Sequence, residues 1–81
     1  MRGNIKWESK GVIIGRRAFL FCFGDKCMSG KILDFHQMPE PDKFEIAVSF
    51  IEPEFFRAEL VVGNKFTIRE GYKVLAEGVV L

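Results

Sequence analysis

Residues 43–51 read KFEIAVSFI, and the two faces of that segment differ. Phe44, Ile46, Val48 and Phe50 fall on one side at period two, while Glu45, Ala47 and Ser49 fall on the other. Successive side chains of an extended chain point to opposite faces, whereas a helix groups residues three and four apart. The segment predicts a strand with one buried face. The same period recurs on either side of it. Phe66 and Ile68 form an inner pair against Thr67 and Arg69. After Gly71, the set Val74, Ala76, Gly78 and Val80 alternates with Lys73, Leu75, Glu77 and Val79. Both of those faces are largely apolar, which predicts a strand covered on both sides. Residues 17–23, RAFLFCF, are rich in β-forming types and place Phe19, Phe21 and Phe23 together. Gly24-Asp25 then offers a two-residue hairpin loop, with the returning strand over residues 26–35.

The connections are as informative. Residues 36–42, HQMPEPD, carry two prolines and predict a loop. Residues 53–63, PEFFRAELVVG, fit either one helical turn or an extended arm. The corner Arg69-Glu70-Gly71-Tyr72 is turn chemistry, with Gly71 free to reverse the chain. Six or so short strands with little helix predict an all-β domain, a small antiparallel barrel or sandwich.

Composition narrows the class. The 81 residues suffice for a single domain, residues 1–81, with one modest core. At 48% hydrophobic and 28% charged, the chain is globular rather than disordered. A net charge of +1 is no general footprint for nucleic acid, which wants a clear basic excess. No segment approaches the roughly 20 apolar residues that span a bilayer. The opening MRGNIKWESK lacks the apolar run of a secretory signal. Together with only two cysteines, it predicts a cytoplasmic protein.

Little in the chain suggests catalysis. In a hairpin looped at Gly24-Asp25, Cys22 and Cys27 lie directly opposite, close enough for a cross-strand bridge. The cytoplasmic assignment instead predicts two buried, reduced thiols. Zinc wants four N/S ligands and only His36 adds a third, so no metal and no cofactor is expected. A Cys–His nucleophile pair needs an orienting group and an oxyanion pocket, and Cys22 sits in mid-strand between two phenylalanines. Glu40-Pro41-Asp42 and Glu52-Pro53-Glu54 read as solvated loop ends. A domain filled by its own core also lacks the concavity of a small-molecule site. The expectation is a protein that is not an enzyme.

In order, four blocks of this chain resemble the C-terminal domain of elongation factor Tu. The most specific is Lys65-Phe66-Thr67-Ile68-Arg69-Glu70-Gly71-Tyr72-Lys73-Val74-Leu75-Ala76-Glu77-Gly78-Val79-Val80, similar to the phrase that closes that family. Gly15-Arg16-Arg17-Ala18 before FLFCF, Met28-Ser29-Gly30, and Phe50-Ile51-Glu52-Pro53 are similar to its upstream blocks. The resemblance implies a closed, six-stranded antiparallel barrel of Greek-key type. It departs from the family in three ways. No GxxxxGK[ST] phosphate loop is present, so GTP chemistry is excluded. Ala18 stands for the family's proline and Tyr72 for its second glycine, and the segment after Pro53 is longer. In the family this barrel packs on the GTPase domain and touches the T stem of tRNA. By resemblance Arg17 and Glu70-Gly71 occupy such contact positions, while Glu52 puts an acid where tRNA-carrying members have a base.

Two function classes follow. Nine phenylalanines exceed what a small barrel buries, and Phe55-Phe56 in an extended arm cannot both face one core. Exposed beside Glu52 and Glu54, they have the anatomy of an aromatic anchor with a charged rim. The leading expectation is a protein-binding module whose surface joins the arm (Glu52, Glu54, Phe55, Phe56, Arg57) to the corner (Arg69, Glu70, Tyr72). One concrete form is a toxin-neutralising immunity protein acting by occlusion. The alternative is an RNA- or tRNA-binding accessory using the basic-aromatic group Lys6, Trp7, Lys10, Arg16 and Arg17.

Overall fold

Six strands close on themselves in the order β1-β4-β3-β2-β5-β6, every neighbouring pair antiparallel. They are β1 (Arg2–Trp7), β2 (Ala18–Phe23), β3 (Lys26–Gln37), β4 (Lys43–Phe50), β5 (Lys65–Glu70) and β6 (Lys73–Val80). The computed structural model describes residues 1–8 and 17–81. Strands β2, β3 and β4 run as a meander, and β5 returns to lie beside β2. That is the Greek-key arrangement. Closure pairs every strand with a neighbour on each side.

The interior is built by the alternation that marks the strands. Phe19, Phe21, Phe23, Ile46, Val48, Phe50, Phe66 and Ile68 are all buried, and Phe44 packs against them half-buried. Aromatic rings meet at angles that suit their quadrupoles: Phe21 and Phe50 stand perpendicular with centroids 5.4 Å apart. The Phe66 ring needs room that only glycine leaves. A Cβ on Gly78 would lie 2.6 Å from Phe66 Cζ and 2.8 Å from the Asn4 carbonyl oxygen.

Both hairpin turns use glycine for its conformational freedom. Gly24 (φ 61°) and Gly71 (φ 60°) are the first central residues between the pairs Phe23–Lys26 and Glu70–Lys73. Asp25 and Tyr72, the second central residues, have no positive φ. A type II′ turn demands just that pattern. Tyr72 can therefore occupy the second central place of the turn without strain.

One strand expectation is corrected, and two bulges are added to the pattern. Strand β6 is not covered on both sides, for Lys73 and Glu77 are exposed. Instead a bulge between Ile68 and Arg69 opposes Val74 to Ala76 across one residue fewer, so that Leu75 and Ala76 are both buried. A second bulge, at Leu33, shifts β3 against β4 and turns Leu33 out to 68% exposure. Strand β1 carries a weak signal in sequence. It slots between β4 and β6 with Gly3 and Ile5 inward, where a glycine contributes no hydrophobic mark.

The crossover from β4 to β5 closes one end of the barrel. Residues Pro53–Phe56 make a single 3-10 turn, with proline at its start supplying a preset φ. Phe56 is fully buried, 4.9 Å from the Phe23 ring and 5.0 Å from the Phe50 ring, both edge-on. The arm is part of the core.

Candidate functional site

Strand β5 leads from the end that the arm closes to the opposite one. The predicted surface is thereby divided: Glu52, Glu54, Phe55 and Arg57 lie at the arm end, and Arg69, Glu70 and Tyr72 at the other. Lys65 and Arg69 stand four residues apart on β5, roughly 13 Å at 3.3 Å per residue. Phe56 belongs to neither surface, because its ring is inside.

Among the described residues, the arm end holds most of the exposed large apolar side chains. Ile51 (78% exposed), Val61 (59%) and Val62 (77%) flank the 3-10 turn, and Leu81 follows β6 at the same end. The Val61–Asn64 turn is tied down by bonds from Gly63 N–H to the Val80 carbonyl and from Val80 N–H to the Asn64 carbonyl, 2.8 and 2.9 Å. Phe55 is half-exposed, held under the ammonium of Lys26, which lies 4.7 Å from the ring centroid. The same ammonium donates to Glu59 Oε1 at 3.0 Å, linking the arm to β3. Glu54 and Arg57 face each other at 3.6 Å in full solvent, a contact of small energetic weight. Glu52 is exposed.

At the opposite end Trp7 and Arg17 meet on the ring of Phe19. Trp7 meets the edge of Phe19 at 5.9 Å, and the Arg17 guanidinium lies 4.6 Å over the other ring of that pair, Phe19. Arg17 is also paired with Glu70 at 2.8 Å, and Lys6 sits 3.9 Å from Asp42. Tyr72 projects fully into solvent from the turn. Lys10 and Arg16 lie outside the described residues. Close by, Glu40 accepts a hydrogen bond from Lys43 at 2.8 Å. That bond, with the negative charges of Glu40 and Asp42, raises the Lys43 pKa above the ordinary lysine range.

The wall between the ends carries an open groove of about 800 Å³ across β1, β6, β5 and β2. Lys6, Lys65, Thr67, Arg69, Glu77 and Cys22 line it. Concavity was not expected from the sequence; it arises where small or flat outer positions such as Asn4, Thr67 and Val79 adjoin. Within it Arg69 donates from Nε to Thr67 Oγ1 at 3.1 Å.

The cysteines differ from expectation. Cys22 pairs with Cys27 across the β2–β3 hairpin, Cα atoms 4.1 Å apart, and the two sulfurs are bonded. The register predicted from Gly24-Asp25 is the one observed. The compartment argument for free thiols did not outweigh that geometry. His36 pairs with Asp34 at 3.0 Å on the outer wall. Among the described residues no three His, Cys, Asp or Glu side chains converge as a metal site, and no helix is long and apolar enough to cross a membrane. The chain matches no protein-family profile, no curated protein and no solved structure.

Proposed function

We propose that this barrel is a non-enzymatic binding module that docks a protein partner on its arm end. The supporting observation is the concentration there of Ile51, Phe55, Val61, Val62 and Leu81, exposed on a fold whose core is otherwise closed. Exposed apolar groups rimmed by charge, here Glu52, Glu54 and Arg57, are the ordinary composition of a protein interface. The opposite end favours RNA less, because Arg17 is held by Glu70 and Lys6 faces Asp42. A cation already paired gains little by releasing counterions from a phosphate. A toxin-neutralising immunity protein is one form this function takes, since occlusion requires no chemistry. Descent from a barrel resembling the last domain of elongation factor Tu, and a cytoplasmic setting, belong to the same proposal.

The test compares two double variants with intact folds, Val61→Ser with Val62→Ser, and Lys6→Glu with Arg17→Glu. A partner captured from lysate is identified and then titrated in purified form at low and high salt. The valine variant should lose at least about 2 kcal/mol of binding, as hot-spot truncation does. Affinity should hardly respond to salt. Loss confined to the Lys6/Arg17 variant, with binding abolished by nuclease and falling steeply with salt, makes the module an RNA binder instead.

A further inference from the structure

We infer that the Cys22–Cys27 bond is a reversible thiol–disulfide exchange site, opened by a dithiol reductant in the folded protein, whose reduction loosens the arm. Three features of the fold carry this, and none depends on the identity of the partner.

First, the bond is dispensable as a staple. It closes a ring across a sequence separation of only 5, at a hairpin that the Gly24-Asp25 turn and the β2–β3 ladder from Ala18–Lys31 to Phe23–Lys26 already close. Short rings remove little entropy from the unfolded chain. Second, the two sulfurs sit in unequal surroundings on the outer wall. Cys27 is partly exposed, whereas Cys22 is buried to 1% on the floor of the groove. Thr67, directly opposite Cys22 on β5, holds the Arg69 side chain, and Lys65 lines the same groove. Arg69 and Lys65 line the groove that Cys22 floors, and a positive potential there favours the thiolate as a leaving group.

The chemistry balances as follows. One thiolate of the reductant attacks Cys27 Sγ, the S–S bond breaks, and the electron pair departs on Cys22 Sγ. The reductant's second thiolate attacks its own sulfur in the mixed disulfide and releases Cys27 as a thiolate. The dithiol ends as a disulfide, having given two electrons and its two protons to the cysteine pair.

Third, the bond adjoins the residues that seat the arm. The next pair along the hairpin is Phe23–Lys26. Phe23 packs on Phe56, and Lys26 binds Glu59 and covers Phe55. Opening the bond leaves the Phe23–Lys26 pair held by the turn and ladder hydrogen bonds alone, so both anchors lose the same covalent restraint.

The experiment treats the folded full-length chain with millimolar dithiothreitol, quenches with an alkylating agent, and weighs the product. Reduction should be complete without denaturant, with the β-sheet circular dichroism retained and Tm lower by about 10 °C, as a short ring implies. Arg69→Gln should slow reduction about threefold by raising the basicity of the leaving thiol. Amide exchange at Glu59 and Leu60, which bond to the Phe56 carbonyl at 2.9 and 3.0 Å, should quicken several-fold on reduction. Exchange along β1 and β4 should quicken no more than the lower global stability requires, and by less than at the arm. Cys22→Ser with Cys27→Ser should reproduce the reduced form and be insensitive to dithiothreitol. A bond that resists reduction until the protein is unfolded, or a reduced chain that loses its sheet, overturns the inference. So does an arm whose exchange is the same in both redox states.

Discussion

Replacing Phe56 by alanine separates an arm that is part of the core from one laid on the surface. The ring is fully buried, with Phe23 and Phe50 at 4.9 and 5.0 Å and Phe55 at 5.5 Å. Truncating a buried phenylalanine costs about 3–5 kcal/mol, the transfer of the ring plus the cavity left behind. Collapse into that cavity is restricted, because three of its walls are rigid rings on separate elements. A chain of this length commands about 4–12 kcal/mol in total. A loss of about 4 kcal/mol therefore lowers Tm by about 16–32 °C for a domain of this size. Phe55→Ala is the matched control. Its half-exposed ring gives up the Lys26 contact and some packing, about 1 kcal/mol. Thermal melts followed by near-ultraviolet circular dichroism, with urea titration for the free energies, read both. If the two variants melt within a few degrees of each other, Phe56 does not plug the barrel and the account of the arm is wrong.

Other outcomes follow from the same contacts. Gly78→Ala should cost about 2–3 kcal/mol by urea titration, since its Cβ meets the Phe66 ring, Ile5 and a backbone oxygen within 2.8 Å; a neutral result means β6 is displaced from this register. Gly71→Ala should cost about 1–2 kcal/mol because its φ of 60° disfavours a side chain, whereas Tyr72→Ala, at the solvent-exposed place beside it, should leave Tm unchanged. Equal effects at the two positions would refute the type II′ assignment. Lys43→Met should remove a small stabilisation with a defined pH window. A folded-state pKa raised above 10.5 stabilises below that value and is lost as pH climbs through the raised one. The difference between wild type and variant should thus be flat near neutrality and vanish in strong alkali, as measured by urea midpoints; a difference that changes between about pH 6 and 8 would assign it to another group.

Period-two alternation alone placed four of the strands, because one face of each must leave water and the pleat has a fixed period. KFEIAVSFI and RAFLFCF named their inward residues correctly, and Gly24-Asp25 set the register that brings Cys22 opposite Cys27. Gly71 marked the last turn for the same local reason, a backbone angle that only glycine adopts freely. What alternation could not hold is the residue that breaks it. The bulges at Leu33 and Leu75 are choices between strands, made where two twisted ladders must meet and close. Strand β1 was nearly silent, since its inward Gly3 matters for the space it leaves to Phe66 rather than for any hydrophobicity of its own. The candidate surface fared likewise. Phe55 and Phe56 are chemically identical in sequence, and only the passage of the arm over the barrel's end decides that one ring is core and its neighbour half-exposed. The separation of that arm from the Arg69–Tyr72 corner, and the pairing of Arg17 with Glu70, depend on which strand lies beside which. Such contacts join residues far apart in the chain, and only closure of the barrel brings them together.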